Sequence, residues 1–305
     1  MNADEQARFK LRYAKLQRAL KLQGMAKATT DAYTRAVRRT ADFFDACPGE
    51  LTTEDLKEYF AALLETHSWS TIKLDRCGLQ FYYRHVLNKQ WDWVEIVRPP
   101  GNQPLPDILT REETLRLLAT FRELRYRVYF TLIYSTGLRL NEGLRLEAGD
   151  IDSSRLRLHV RNGKGKKDRF VPITEALLRM LRQWWRVHRN PKLIFPGGGR
   201  GIVLIEKMHV ATKPMSTSGV QEAIRKVVAE RGIKRRITAH SMRHCFASHM
   251  LEFGVDLREL QVILGHAKPE TTARYAHITD ITSEKARTHQ ANLLRSFVLR
   301  WADET

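Results

Sequence analysis

The chain has 305 residues, about twice the typical length of one domain, and its 43% hydrophobic and 28% charged side chains are typical of folded globular proteins. This composition excludes a disordered or fibrous protein, and no apolar run approaches the roughly 20 residues that a membrane-spanning helix needs. Lys and Arg number 52 against 34 Asp and Glu, so the net charge is +18, which favours a polyanionic partner such as nucleic acid.

Helical periodicity from Glu5 to about Asn88 predicts a helical domain over residues 1–98. Polar capping residues predict the starts of three of its helices: Thr30 or Asp31, Thr53 and Thr71. This domain carries 16 basic and 13 acidic side chains, so most of the positive charge lies in the rest of the chain. The proline-rich stretch that follows cannot continue a helix, and we interpret residues 99–108 as a linker.

A second domain is predicted over residues 109–305, and its start is well marked. Thr110-Arg-Glu-Glu113 is a capping box ahead of an apolar helical run. The strand signal is the alternation of apolar and polar residues over 156–160, which a turn at Asn162-Gly163 joins to a returning strand over 170–173. This pattern predicts one β-hairpin.

Helical patterns resume after the hairpin, over 174–188 and 217–231. The connection over 196–218 is long and rich in glycine, and its role is open. The predicted fold class is therefore mostly α with a small β-hairpin or sheet in the C-terminal domain.

His240, Arg243, His266 and Tyr275 follow one another within 36 residues. His240 and Arg243 are three residues apart, so they share one face of a helix. Gly265 suits the left-handed position after a helix, and a helix end of that kind presents the next side chain, His266, at a fixed place. Tyr275 then lies on a short helix that we expect to start at Pro269.

Together with two earlier motifs, this part of the sequence resembles the tyrosine recombinases, or phage-type integrases. The resemblance rests on five elements in order: Thr136-Gly-Leu-Arg139-Leu-Asn-Glu142, Gly163-Lys164-Gly165, His240-Ser-Met-Arg243-His-Cys-Phe-Ala, Leu264-Gly-His266, and Thr271-Thr272-Ala-Arg-Tyr275. Each element alone is moderately specific, and all five in this order are highly specific. The resemblance spans nearly the whole chain, because the N-terminal helical part is similar to the family's SAM-like core-binding domain.

The resemblance implies a nucleophile and a set of groups that stabilise the reacting phosphate. Tyr275 is the implied nucleophile, which would form a covalent 3′-phosphotyrosyl intermediate. Arg139 and Arg243 would hold the non-bridging oxygens, with hydrogen bonds added by His240 and His266. His240 is also a candidate acceptor of the tyrosine proton.

The remaining implied roles belong to residues around the hairpin and to Glu142. Lys164 is the expected general acid for the 5′ oxygen, with Lys166 or Lys167 as the alternative. Lys166, Lys167 and Arg169 are expected to contact DNA, and Glu142 is expected to orient His240 or another group of the site.

No cofactor is expected, because side chains supply the cations. His240 and His244 are four residues apart, but the sequence shows no His-Glu-x-x-His pattern and no third ligand, so no metal site is predicted. His244 is expected to cap or pack. Two departures from the family pattern, Met242 for Leu and Asn141 for Ser, put little in doubt.

The resemblance implies a site-specific recombinase: a two-domain, C-shaped clamp on double-stranded DNA. It would be monomeric in solution, would assemble as a homotetramer through a Holliday junction, and would end in an assembly helix over 284–300. A type IB topoisomerase and a catalytically silent DNA-binding regulator are the alternatives. Three isolated cysteines and the absence of a signal peptide favour a reducing cytoplasm, in a bacterium or phage host and at the nucleoid, without membrane contact.

Overall fold

The computed structural model describes residues 1–89, 107–161, 168–199, 204–266, 271–272 and 275, and the structural statements below concern these residues. The chain divides into two units, Met1–Gln103 and Pro104–Thr305, and the boundary falls within the stretch interpreted as a linker. None of the described helices combines the length and the apolar character needed to cross a membrane.

The first unit is a helical bundle around one apolar core. Its elements are α1 (Ala3–Leu22), α2 (Lys27–Phe44), α3 (Thr53–Thr66), α4 (Trp69–Tyr82) and a π-helical turn (Tyr83–Leu87). The core contains Leu16 and Leu20 of α1 together with Tyr59 and Phe60 of α3. Gly78 lets α4 approach α2 closely, because a Cβ at this position would lie 3.0 Å from the Ala36 Cβ.

The three predicted helix starts in this unit are each late. Helix α2 begins at Lys27 without any side-chain cap, so neither Thr30 nor Asp31 is its N-cap. Thr52, one residue before Thr53, caps α3 because its hydroxyl accepts the Asp55 N–H. Ser68 caps α4 in the same way, three residues before Thr71.

The second unit is mostly helical, with one small sheet. Its elements are α5 (Arg111–Thr120), α6 (Leu124–Thr136), α7 (Leu140–Leu144), β1 (Ile151–Asp152), β2 (Arg157–Val160), β3 (Arg169–Pro172), α8 (Glu175–His188), α9 (Leu204–His209), α10 (Thr217–Glu230), α11 (Ala239–Glu252) and α12 (Leu257–Leu264). A single apolar core joins the faces of these elements, and its fully buried members include Leu132, Leu158 and Phe195. The capping box at Thr110 is confirmed.

The sheet is antiparallel in the order β1-β2-β3, so the predicted hairpin of β2 and β3 gains a third strand. Leu158 pairs with Val171, and Val160 pairs with Arg169. Leu156 lies outside the sheet, contrary to the predicted alternation, because its φ of 48° places it in the turn between β1 and β2.

The connection between α8 and α10 is built into the second unit. The Asn190 side-chain amide donates to the carbonyl oxygens of Met208, His209 and Ala211 at 2.8, 3.0 and 2.9 Å. This buried asparagine holds α9 and the chain after it, so part of the glycine-rich connection is anchored structure.

Candidate active site

Arg139 and Glu142 are brought together by the turn between α6 and α7. Gly137 ends α6 in the left-handed conformation, with φ of 63°, and Arg139 then occupies the N-cap of α7. Glu142, in the first turn of α7, accepts the Arg139 backbone N–H at 2.9 Å through Oε2 and Arg139 Nη1 at 2.8 Å through Oε1. Glu142 therefore binds both the backbone and the side chain of Arg139.

Arg169, at the start of β3, completes this network. Its Nη1 and Nη2 donate to Oε1 and Oε2 of Glu142 at 3.0 and 2.7 Å, and its Nε donates to the Ile263 carbonyl oxygen at 2.9 Å. Only 10% of the Arg169 side chain is exposed. This differs from the DNA contact predicted for Arg169, because all three of its guanidinium nitrogens donate within the protein.

The charge state of Glu142 follows from these partners. Burial by itself would raise the pKa of this carboxyl group, but the hydrogen bonds and charge of Arg169 and the hydrogen bonds of Arg139 outweigh burial and lower the pKa to about 2. Glu142 is therefore a carboxylate at neutral pH, held between two guanidinium groups.

Arg139 and Arg243 both donate hydrogen bonds at the C-terminal end of α12. Arg139 Nη2 donates to the Gly265 carbonyl oxygen at 3.0 Å. Arg243, from α11, donates to the carbonyl oxygens of Gly137 and Leu264, the latter at 2.7 Å. Only 1% of Arg243 is exposed, and burial together with the charge of Arg139 lowers its pKa to about 9, which leaves it protonated at neutral pH. The glycine end of α12 thus fixes two cations side by side.

His266 follows Gly265 and has a defined tautomer. Its Nε2 lies 2.9 Å from Arg243 Nη2, which can only donate, so Nε2 is the acceptor. The other ring nitrogen, Nδ1, then carries the hydrogen and donates to Thr272 Oγ1 at 2.8 Å. Burial and the neighbouring charges of Arg243 and Arg139 lower the pKa of His266 to about 3, so the ring is neutral at physiological pH.

Tyr275 lies against this cluster with its phenol buried. Its exposure is 1%, and its ring lies nearly parallel to that of His266, with the centroids 6.4 Å apart. The hydroxyl hydrogen-bonds to Nδ1 of His244 at 2.7 Å. His244 was expected only to cap or pack, because nothing in the local sequence of α11 shows which partner lies 31 residues further along the chain.

His240 lies one helical turn before His244, on the exposed side of α11. The two rings meet edge to face, with the centroids 4.5 Å apart. His240 and Arg139 both line a cavity of about 570 Å³, whose other basic lining residues include Arg145 and Arg161. Its acidic lining residues are Glu142, Glu147 and Asp150, of which Glu142 pairs with Arg139 and Asp150 pairs with Arg161.

Lys164, Lys166 and Lys167 lie outside the described residues, between the described strands β2 and β3. The part of the second domain beyond Tyr275, including the helix expected over 284–300, also lies outside them. Across the described ranges, no group of three or more His, Cys, Asp or Glu side chains is placed to hold a metal ion.

Two family models match the chain: residues 107–281 match the phage integrase family, and residues 13–93 match the phage integrase N-terminal SAM-like domain. Tyrosine recombinase XerA of Thermococcus onnurineus strain NA1 is 32% identical over 283 residues, which cover 92% of this chain and 94% of that protein.

Two solved structures share the fold. XerH site-specific recombinase bound to palindromic difH substrate, in its post-cleavage complex, aligns with a TM-score of 0.66 at 20% identity, covering 88% of this chain and 82% of that chain. A lambda integrase dimer bound to a COC′ core site aligns with a TM-score of 0.67 at 19% identity, covering 85% and 92%.

The family match over 107–281 covers more than half of the chain and spans every element of the sequence resemblance. The 32% identity to a tyrosine recombinase extends over nearly the full length of both proteins. The chain therefore belongs to the phage integrase family, as a tyrosine-type site-specific recombinase.

Proposed function

We propose that the chain cleaves and rejoins double-stranded DNA with Tyr275 as the nucleophile. The observation that carries this assignment is the position of the Tyr275 ring against His266, which Arg243 holds by a hydrogen bond of 2.9 Å. The nucleophile candidate, a buried cation and a neutral histidine are thus assembled in one place. Arg139 joins them through the Gly265 carbonyl oxygen.

The reaction proceeds by exchange of one phosphoester for another. Tyr275 Oη loses its proton to a histidine of the site and attacks the scissile phosphorus, the bond from phosphorus to the 5′ oxygen breaks, and the product is a 3′-phosphotyrosyl link with a free 5′ hydroxyl. Lys164 supplies the proton to the departing 5′ oxygen. Attack by a 5′ hydroxyl on the phosphotyrosyl link reverses these steps and rejoins the strand.

Arg139, Arg243 and His240 stabilise the charge that develops on the non-bridging oxygens, and His266 supports them by accepting a hydrogen bond from Arg243 Nη2 at 2.9 Å. Arg139 keeps 22% of its side chain exposed and lines the cavity of about 570 Å³, so it can meet a phosphate there. Arg243 and Tyr275 are each 1% exposed. We therefore propose that this structure is a resting state and that the binding of DNA exposes Tyr275 and Arg243.

The net charge supports DNA binding that is dominated by contacts to the phosphate backbone. The net charge of +18 can neutralise several phosphates, and such contacts hold DNA without reading its sequence. Arg145 and Arg161 on the cavity wall, with Lys166 and Lys167 on the hairpin, are the proposed contacts near the cleavage point. The XerH and lambda integrase structures are described as DNA complexes, which supports DNA as the partner of this chain.

Each of the two domains has a proposed role in binding and cleaving DNA. Residues 1–98 form the core-binding domain, 99–108 the linker and 109–305 the catalytic domain. A monomer in solution assembles on DNA into a homotetramer that joins two sites through a Holliday junction, in the cytoplasm where the DNA lies. The relatives are recombinases, which does not favour the topoisomerase or the silent regulator.

The test is capture of the covalent intermediate on a nicked suicide substrate, from which the cleaved end diffuses away. Wild type should give a protein–DNA adduct that resists denaturant, and Tyr275→Phe should give none. Tyr126→Phe, which removes a phenol hydroxyl at a different cavity of the same unit, is the matched control and should form the adduct. An adduct with Tyr275→Phe would refute the proposal.

A further inference from the structure

The hydroxyl of Tyr275 hydrogen-bonds to His244, a residue to which the family resemblance assigned no role at the site. His244 Nδ1 lies 2.7 Å from Tyr275 Oη, and the two ring centroids are 5.5 Å apart. His244 is half-buried on α11, directly after Arg243. An imidazole nitrogen therefore sits at hydrogen-bonding distance from the atom that must lose its proton.

His266 also lies beside Tyr275, but both of its nitrogens have other partners. Nε2 accepts from Arg243 at 2.9 Å, and Nδ1 donates to Thr272 Oγ1 at 2.8 Å. To take up the tyrosine proton, His266 would have to give up its bond from a buried guanidinium group. The geometry therefore assigns His266 to hydrogen bonding and not to proton transfer.

His240 faces a different part of the site. It is exposed and lines the cavity of about 570 Å³ together with Arg139. Its ring meets the ring of His244 edge to face, with the centroids 4.5 Å apart, so the two histidines lie next to each other on one face of α11. This position suits a hydrogen bond to the phosphate in the cavity.

We propose that His244 is the catalytic base that takes the proton from Tyr275 during cleavage and returns it during religation. The proposal rests on the proposed role of Tyr275 as nucleophile. In cleavage the Oη–H bond breaks, the proton moves to His244 Nδ1, Oη bonds to phosphorus, and the 5′ oxygen leaves with a proton from the general acid. In religation the 5′ hydroxyl displaces Oη, which recovers the proton from His244.

The two histidines of α11 therefore have different roles. His244 handles the proton of the nucleophile, and His240 stabilises the phosphate that the nucleophile attacks. The charged and titratable groups around the transfer include Arg243 and His240 on the same helix and His266 beyond α12, with Arg139 and Arg169 also acting on His266.

The first experiment compares His244→Ala and His244→Asn in single-turnover cleavage of the suicide substrate. Asparagine keeps a polar atom near the position of Nδ1, so it can hydrogen-bond to Tyr275 but cannot act as a base. Loss of a general base predicts cleavage slower by about 10² to 10⁴ in both variants. DNA affinity and thermal unfolding are measured beside the rates, and the asparagine variant serves if the alanine variant is unstable. Cleavage by His244→Asn at the wild-type rate would overturn the proposal.

The second experiment replaces Tyr275 by a fluorinated tyrosine whose phenol ionises near neutral pH. Such a phenol needs no base, so it should restore most of the cleavage rate of His244→Ala and little of the rate of His240→Ala. A role in positioning alone would leave the rate of His244→Ala unrescued, and rescue of His240→Ala in its place would make His240 the base. Either result overturns the proposal for His244, whereas failure of the nucleophile assignment shows separately, as an adduct with Tyr275→Phe.

Discussion

Glu142 and Arg169 form a two-bond ion pair, with Oε1–Nη1 and Oε2–Nη2 distances of 3.0 and 2.7 Å. The same carboxylate binds Arg139, and the same guanidinium group binds the end of α12 through Ile263. The pair therefore links three segments that meet at the site: α7, β3 and the α12 end. Its geometry is the planar two-bond arrangement that arginine and carboxylate favour.

Arg169→Gln should slow cleavage by roughly 10- to 100-fold, because Arg169 holds the Glu142 carboxylate that in turn positions Arg139. Arg169→Lys keeps the charge but not the fork, and should recover part of the rate. The affinity for DNA and its salt dependence should stay near those of the control Arg179→Gln, which alters an exposed arginine of α8. A lower affinity with a shallower salt dependence would instead restore the original expectation that Arg169 contacts phosphate.

The ion pair also predicts a dependence of stability on pH. The pKa of Glu142 lies at about 2 in the folded protein against 4.5 for the free side chain, so the carboxylate stabilises the fold fully above pH 4.5. This contribution, on the order of 3 kcal/mol, is lost as the pH falls towards 2. Chemical unfolding of wild type and Glu142→Gln should therefore give free energies of unfolding whose difference shrinks over this range, and a constant difference would contradict the lowered pKa.

The two site arginines should respond differently to truncation. Arg139→Ala should slow cleavage by about 10² to 10³ with little loss of stability, because its side chain is partly exposed. Arg243→Ala should slow cleavage similarly and also destabilise the fold by on the order of 3 kcal/mol, because it leaves buried carbonyl oxygens without donors. Single-turnover rates and thermal unfolding measured on the same preparations separate the two effects. Equal stability of the two variants would contradict this difference.

Lys164 remains the predicted general acid, and leaving-group chemistry tests it. A substrate with sulfur in place of the bridging 5′ oxygen needs no proton on departure, so it should restore cleavage by Lys164→Ala. Lys166→Ala and Lys167→Ala are the controls, with small effects on either substrate. Rescue of one of these variants instead would move the acid along the hairpin.

The segment after Ser283 is predicted to serve assembly. A chain that ends at Ser283 should bind a single DNA site with nearly unchanged affinity and lose synapsis and strand exchange on two sites, because the docking of a terminal segment on a neighbour can close a ring of protomers. Gel shifts on one-site and two-site substrates distinguish the two steps. An unfolded truncation would show that the segment packs on its own domain, and full recombination would exclude both roles.

Local patterns in the sequence determined much of the second unit. The capping box at Thr110, the strand pair β2 and β3, and the glycine end of α12 before His266 all depend on neighbours within a few residues, so each can be predicted from a short window. The order of Arg139, His240, Arg243, His266 and Tyr275 was sufficient for the resemblance to the family. The predicted helix starts in the first unit were less accurate, and the start of α2 could not be read from a capping residue because that helix begins without one.

Only the tertiary structure decided which of these side chains meet. Glu142 and Arg169 are 27 residues apart, and His244 and Tyr275 are 31 apart, so no helical or strand period relates them. Periodicity places His244 on a helix face but says nothing of what packs against that face. Arg169 looks like one more cation on a basic hairpin until β3 is seen to pass α7 and α12. The partners of a charged or titratable group, and with them its role, depend on how distant segments pack.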